Sequence, residues 1–232
     1  MMLDAVSWAA LLKIAGVNIV LSGDNAVVIA MAARSLPARQ KRQAIFWGSA
    51  AAIVLRLALT GFAVALLAQP WLKIVGSVLL FWIGAKLLVP DDADADIDAG
   101  DDMLAAIRTI VLADVVMSLD NVIAVAAAAS GDWTLMMIGL ALSIPLVIFG
   151  ATLLVKVMER FPVVVTIGAA LIGFVAGEMA WEDHAVAGWT APFPPDAKYA
   201  AAVGGAVFVV VLGRLLARHA GVRAQSAAGS AD

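Results

Sequence analysis

Seven stretches of the chain are each long and apolar enough to cross a lipid bilayer, and this narrows the available folds more than any motif does. They run roughly Ser7–Ala32, Ala44–Ala68, Trp71–Val89, Met103–Ala129, Trp133–Val155, Phe161–Trp181 and Tyr199–Leu216. A spanning helix needs about 20 mainly apolar residues. Inside hydrocarbon its backbone N–H and C=O groups must also be satisfied within the protein. Composition agrees: 63% of residues are hydrophobic and 14% charged, against roughly 45–50% and 25% in a soluble domain. The expected fold is an all-α membrane protein of seven transmembrane helices.

Composition also removes several function classes. The absence of cysteine excludes disulfides, thiolate metal sites and thiol nucleophiles. A net charge of −3, with no basic-aromatic stripe, gives no reason to expect nucleic acid. His184 and His219 both fall outside the spans, so no Ser-His pair sits within them and no enzyme is expected. No prosthetic group is expected either. The first apolar run lacks a basic segment before it and is read as a retained span, not a cleaved signal.

Lysine and arginine set the expected orientation. Arg34, Arg39, Lys41 and Arg42 follow the first span, Lys156 and Arg160 the fifth, and Arg214, Arg218 and Arg223 the seventh. With seven spans these loops share one side, the cytoplasmic one. The opposite ends carry Trp8, Trp71, Trp133, Trp181 and Trp189, an interfacial belt. The N-terminus is therefore expected outside and the C-terminus in the cytoplasm, in the cell (inner or cytoplasmic) membrane. The segment 90–102 holds seven aspartates and reads as a solvated acidic cytoplasmic linker in preference to a metal-attracting loop. An outer loop is expected over 183–198, a last span over 199–217, and a disordered tail over 218–232.

A repeat organises the spans. The first contains Asn18-Ile-Val-Leu-Ser22-Gly-Asp24-Asn25, and the fourth Asp114-Val-Val-Met-Ser118-Leu-Asp120-Asn121. A weaker echo links Gly76–Lys86 to Gly168–Glu178. Copies three spans long cross the membrane in opposite directions. Residues 1–89 and 103–182 thus read as two inverted three-helix repeats plus a seventh helix, a plan that places a site near the midplane.

Each aspartate at a helix centre costs about 2.5–3.5 kcal/mol on insertion scales, so intramembrane carboxylates mark sites or pathways more often than packing. Asn18, Ser22 and Asn25 share one helix face, as do Asp114, Ser118 and Asn121. Asp24 and Asp120 lie about 100° round from the following asparagines in an ideal helix. Either the site sits at the edge of that face, or the helices break at the motifs. Gly23 would ease a break in the first span, while Leu119 stands in its place in the fourth.

Carboxylate, amide and hydroxyl are hard oxygen donors, suited to Mg²⁺, Ca²⁺ or Mn²⁺. Asp24, Asn25, Asp120 and Asn121 are the expected metal ligands, with Ser22, Ser118, Asn18 and Asp114 in support. Arg56, in mid-span, is expected to face the interior and neutralise a motif aspartate when no cation is bound. Glu178, near Glu182, Asp183 and His184, belongs either to an exit vestibule or to an interfacial cluster. Arg56 and Glu178 are the candidates for gating or proton coupling. Gly173 and Gly177 read as a close helix-packing pair.

The two motifs, the basic first loop and Gly177-Glu178-Met179 together resemble the TerC family of integral membrane proteins, in particular its shorter YjbE-like branch. The resemblance covers nearly the whole chain outside the acidic loop and tail. It implies kinship with LysE-type transporters, export of a divalent metal, chiefly Mn²⁺, and a transport site that includes both motif aspartates. The expected partners are a divalent metal ion and the lipid bilayer, with homo-oligomerisation left open. The alternative is a non-transporting membrane scaffold or metal-stress complex component whose Asp-Asn motifs only hold the bundle together.

Overall fold

The structure, a computed structural model, describes residues 23–60, 69–89, 99–128 and 133–228. Within these ranges it describes side chains except at 60, 99, 119–128, 133–137, 139–143 and 221–228. The described residues form helices without a strand: α1 (Gly23–Ala33), α2 (Ala38–Thr60), α3 (Leu72–Lys86), α4 (Ala99–Ala128), α5 (Trp133–Arg160), α6 (Val163–Trp181), a 3₁₀ turn (His184–Val186), α7 (Ala187–Thr190) and α8 (Ala197–Ala228). Where the described residues cover the apolar stretches read from the sequence, they are helical apart from end residues; residues 7–22 of the first stretch and 61–68 of the second lie outside them. Among the described residues, Ala38–Leu59, Val163–Trp181 and Ala197–Ala220 are by themselves long and apolar enough to span a membrane. The chain is a helical integral membrane protein.

Two boundaries differ from the sequence reading. α2 begins at Ala38, ahead of the apolar run, because Arg39, Lys41 and Arg42 are good helix formers that extend the helix into water. α8 continues to Ala228, past the point where a disordered tail was expected, through an alanine-rich segment of high helix propensity. The segment expected as an outer loop contains the 3₁₀ turn and α7.

The helices form two compact units, and each draws on both halves of the chain. One comprises Met1–Gln69 and Met103–Val157, the other Pro70–Asp102 and Met158–Asp232. The first therefore holds α1, α2 and nearly all of α4 and α5, and includes Asp24-Asn25 and Asp120-Asn121. α1 buries residues all around its circumference, including Val28, Ile29, Ala30 and Met31, as expected of a helix apolar on every face. α2 is two-sided: Ser49, Ala52 and Arg56 are buried, whereas Phe46, Trp47, Val54 and Leu55 are exposed.

The second unit packs α3, α6 and α8 against one another. Gly173 and Gly177 on α6 face Gly205 and Ala201 on α8 so closely that a Cβ at either α6 glycine would fall on a backbone carbonyl. Small residues permit that approach, which in lipid is a main source of helix association. The outer face of α8 exposes Val203, Val207 and Val211 at four-residue spacing, a stripe matched to lipid.

α3 has an unusual start. Trp71, just before it, adopts a left-handed conformation with φ 73°. The cap comes from elsewhere in the chain. Asp183, only 1% exposed, accepts hydrogen bonds from the N–H groups of Trp71 (2.9 Å) and Ile74 (3.1 Å), and from Ala185 (2.7 Å) in its own turn. Burial pushes the Asp183 carboxyl up, but N–H donors from Ala185, Trp71, Ile74 and Lys73 outweigh it and hold the group below its ordinary value of 3.8. A depressed carboxylate stabilises the fold fully above the ordinary value, and that stabilisation is lost as pH falls through the folded value. Asp183→Ala is expected to cost about 2 kcal/mol at neutral pH, and Asp183→Asn to flatten the acid limb of a stability-versus-pH curve. An unchanged acid limb in Asp183→Asn would remove Asp183 as the source.

Candidate functional site

The polar cluster of the first unit is built on three helices. Arg56 projects from α2 and is 5% exposed. Its Nε donates to Ser118 Oγ at 2.8 Å, and its Nη2 donates to, and pairs with, Asp114 Oδ1. Ser118 Oγ donates to Asp114 Oδ2 at 3.1 Å, closing the triangle. Asp114 and Ser118 stand one helical turn apart on α4, so a single face presents both oxygens to one guanidinium. Asp114 is 6% exposed and Ser118 fully buried. An ion pair so far from water is held by direct, charge-assisted hydrogen bonds.

α1 brings the first motif to this cluster. Asn25 is 3% exposed, and its backbone N–H donates to Asp24 Oδ1 at 2.8 Å. Asp24 lies near enough to Arg56 and Asp114 for both charges to act on its carboxylate. A cavity of about 10 Å³ separates the helices, with Asn25, Ser49, Arg56 and Asp114 on its polar side and Ile29 and Val147 on its apolar side.

Of the expected site residues, Asn25, Asp114, Ser118 and Arg56 meet here, with Asp24 close by. Arg56 pairs with Asp114 in the triangle, and its expected pairing with Asp120 falls on a side chain outside the described residues. Asn18 and Ser22 lie outside the described residues. Asp120 and Asn121 lie on α4, but their side chains are likewise outside the description. α4 runs unbroken from Ala99 to Ala128, so the second motif sits on a continuous helix. Glu178 stands apart, in the second unit, paired with Lys198 at 2.7 Å. Lys198 also bonds Glu182 at 3.0 Å, and Glu182 pairs with Lys73 at 3.6 Å. Glu178 therefore belongs to an ion-paired cluster of two acids and two lysines. Among the described residues, no three His, Asp or Glu side chains converge as a metal cage.

Two contributors were missed from sequence. Ser49 lines the cavity together with Ala52, Ile53 and Arg56. Their i, i+3, i+4, i+7 spacing marks one helix face and was legible once Arg56 was placed. Pro145 lies inside α5. It removes the N–H that the Ala141 carbonyl would accept, a local cause for bending two residues before the cavity-lining Val147.

These features define a multi-pass helical membrane protein with a buried, charged polar centre. The chain belongs to the integral membrane protein TerC family, whose pattern it matches over residues 3–221. It is 44% identical over 173 residues to the uncharacterized membrane protein YjbE of Bacillus subtilis, covering 75% of this chain and 79% of that protein. YceF of Bacillus subtilis, also described as an uncharacterized membrane protein, is 26% identical over 76% of this chain and 72% of its own. The UPF0053 inner membrane protein YgdQ of Escherichia coli K12 is 26% identical over 80% of this chain and 87% of its own. No solved structure matches the chain.

Proposed function

We propose that this protein is a divalent metal ion transporter that exports Mn²⁺ by alternating access. The observation that carries the reading is the meeting of both motif helices at a buried charged centre. Asp24 and Asn25 come from α1, Asp114 and Ser118 from α4, and Arg56 stands between them. A membrane protein bears the expense of intramembrane charge mainly where something charged must pass. Asp24 and Asp120 would bind a partly dehydrated cation, with Asn25 and Asn121 as further ligands and Ser22, Ser118 and Asn18 in support. A conformational change within a seven-span frame, with the N-terminus outside and the two inverted repeats interleaved, would expose the site to each side in turn. The inner-membrane description of YgdQ fits this setting, and so would the kinship with LysE-type transporters that the family resemblance implies. Proton exchange is a natural counter-movement for a site rich in carboxylates.

The Arg56–Asp114–Ser118 triangle favours a second reading, a non-transporting scaffold. There every polar group would serve to knit helices together. Thermal unfolding and efflux separate the two. A transporter should be stabilised by Mn²⁺, by about 2.7 kcal/mol at a hundredfold excess over Kd. Cells making the wild type should hold less manganese under load, and Asp24→Asn or Asp120→Asn should abolish the difference. The double substitution should add little, because either change disables a shared site. Efflux that survives both substitutions would overturn the shared site and make the motifs structural, whereas a wild type that neither lowers cell manganese nor is stabilised by Mn²⁺ would leave the scaffold.

A further inference from the structure

Ser49 is 1% exposed, and its hydroxyl has no hydrogen-bond partner among the described residues. A buried hydroxyl left this way is costly, and native proteins rarely tolerate one. Ser49 also opens onto the cavity shared with Asn25, Arg56 and Asp114. At about 10 Å³ the cavity has the size of a single water molecule. Its polar side offers what a water needs, namely donors from a guanidinium, acceptors from a carboxylate and a hydroxyl able to act as either. The apolar wall of Ile29 and Val147 gives a larger polar molecule no further partner.

We propose that this cavity is a binding site for one structural water, and that Ser49 is the residue that anchors it to the Arg56–Asp114 pair. The water joins α2 to the first motif through Asn25 and satisfies a hydroxyl that the helices alone leave unbonded. The inference rests on the geometry of the cluster and is independent of what the protein transports.

Radiolytic hydroxyl-radical labelling tests it directly, because radicals formed on a bound water modify the side chains that line it. The experiment uses the full chain in detergent with a chelator present, so that no metal ion contributes. Ile29 and Val147, 3% and 7% exposed, should be labelled, while Ile172, 1% exposed and remote from the cavity, should not. Ser49→Ala should reduce labelling of Ile29 and Val147 at least several-fold and lower Tm by about 2–4 °C, the shift expected from one lost buried hydrogen bond. Unlabelled Ile29 and Val147 in the wild type would overturn the proposal, as the cavity would be dry. Undiminished labelling in Ser49→Ala would overturn the role of Ser49. A rise in Tm on Ser49→Ala would overturn both, because deleting an unbonded buried hydroxyl stabilises.

Discussion

Arg56→Ala is expected to destabilise the protein by about 3–5 kcal/mol, the loss seen when one member of a buried ion pair is removed. The loss comes mainly from Asp114, whose side chain is 7% exposed and would lose the cation that pairs with it. Ser118 alone cannot replace a guanidinium that binds both residues at once. Arg56→Lys should recover only part of the loss, because an ammonium lacks the planar fork that reaches a carboxylate and a hydroxyl together. Asp114→Asn on the Arg56→Ala background should recover more, since it removes the stranded charge. Denaturant unfolding of the single and double mutants gives the coupling energy. Strict additivity of Arg56→Ala and Asp114→Asn would show that the pair does not carry the effect.

Gly205→Ala should be nearly as damaging, at about 3 kcal/mol. A Cβ there would fall on the backbone carbonyl of Gly173, and a backbone carbonyl, unlike the end of a flexible side chain, cannot swing aside. α6 and α8 would have to separate along their closest contact. The neighbouring residue supplies the control. A Cβ at Gly204 meets nothing within 4 Å, so Gly204→Ala should be neutral or stabilise slightly, by about 0.5–1 kcal/mol, through better helix propensity. Equal melting temperatures for the two variants would show that the contact between α6 and α8 is looser than the structure has it.

Hydropathy made the helices legible because a lipid-embedded segment has few other ways to satisfy its backbone. The Gly173-x-x-x-Gly177 contact was legible for a related reason, since close approach demands small residues at that spacing. Pairing was less legible. Arg56 and Asp114 are 58 residues apart, and nothing local to either names its partner. The motif repeat drew attention to Asp24 and Asp120 as partners for Arg56, whereas its pairing with Asp114 depends on how α2 and α4 pack. Ser49 escaped notice because a serine in an apolar run is ordinarily absorbed by a backbone carbonyl one turn earlier. Asp183 reads from sequence as one of a group with Glu178, Glu182 and His184, in an exit vestibule or an interfacial cluster. Its role as a cap depends on the chain returning to Trp71, a matter of tertiary structure.

The order in which this chain leaves the ribosome adds a constraint of its own. The carboxylate that completes the start of α3 belongs to Asp183, separated from Trp71 by 112 positions. During synthesis α3 therefore emerges, and is handed to the membrane, long before its cap exists. Until then the N–H groups of Trp71 and Ile74 must be satisfied by water or lipid headgroups, and nothing fixes the left-handed turn at Trp71. Docking of the Asp183 turn is thus a late step of assembly, available only after α6 has been made. Nascent chains arrested before that point should show rapid amide exchange at the start of α3, and completed chains slow exchange.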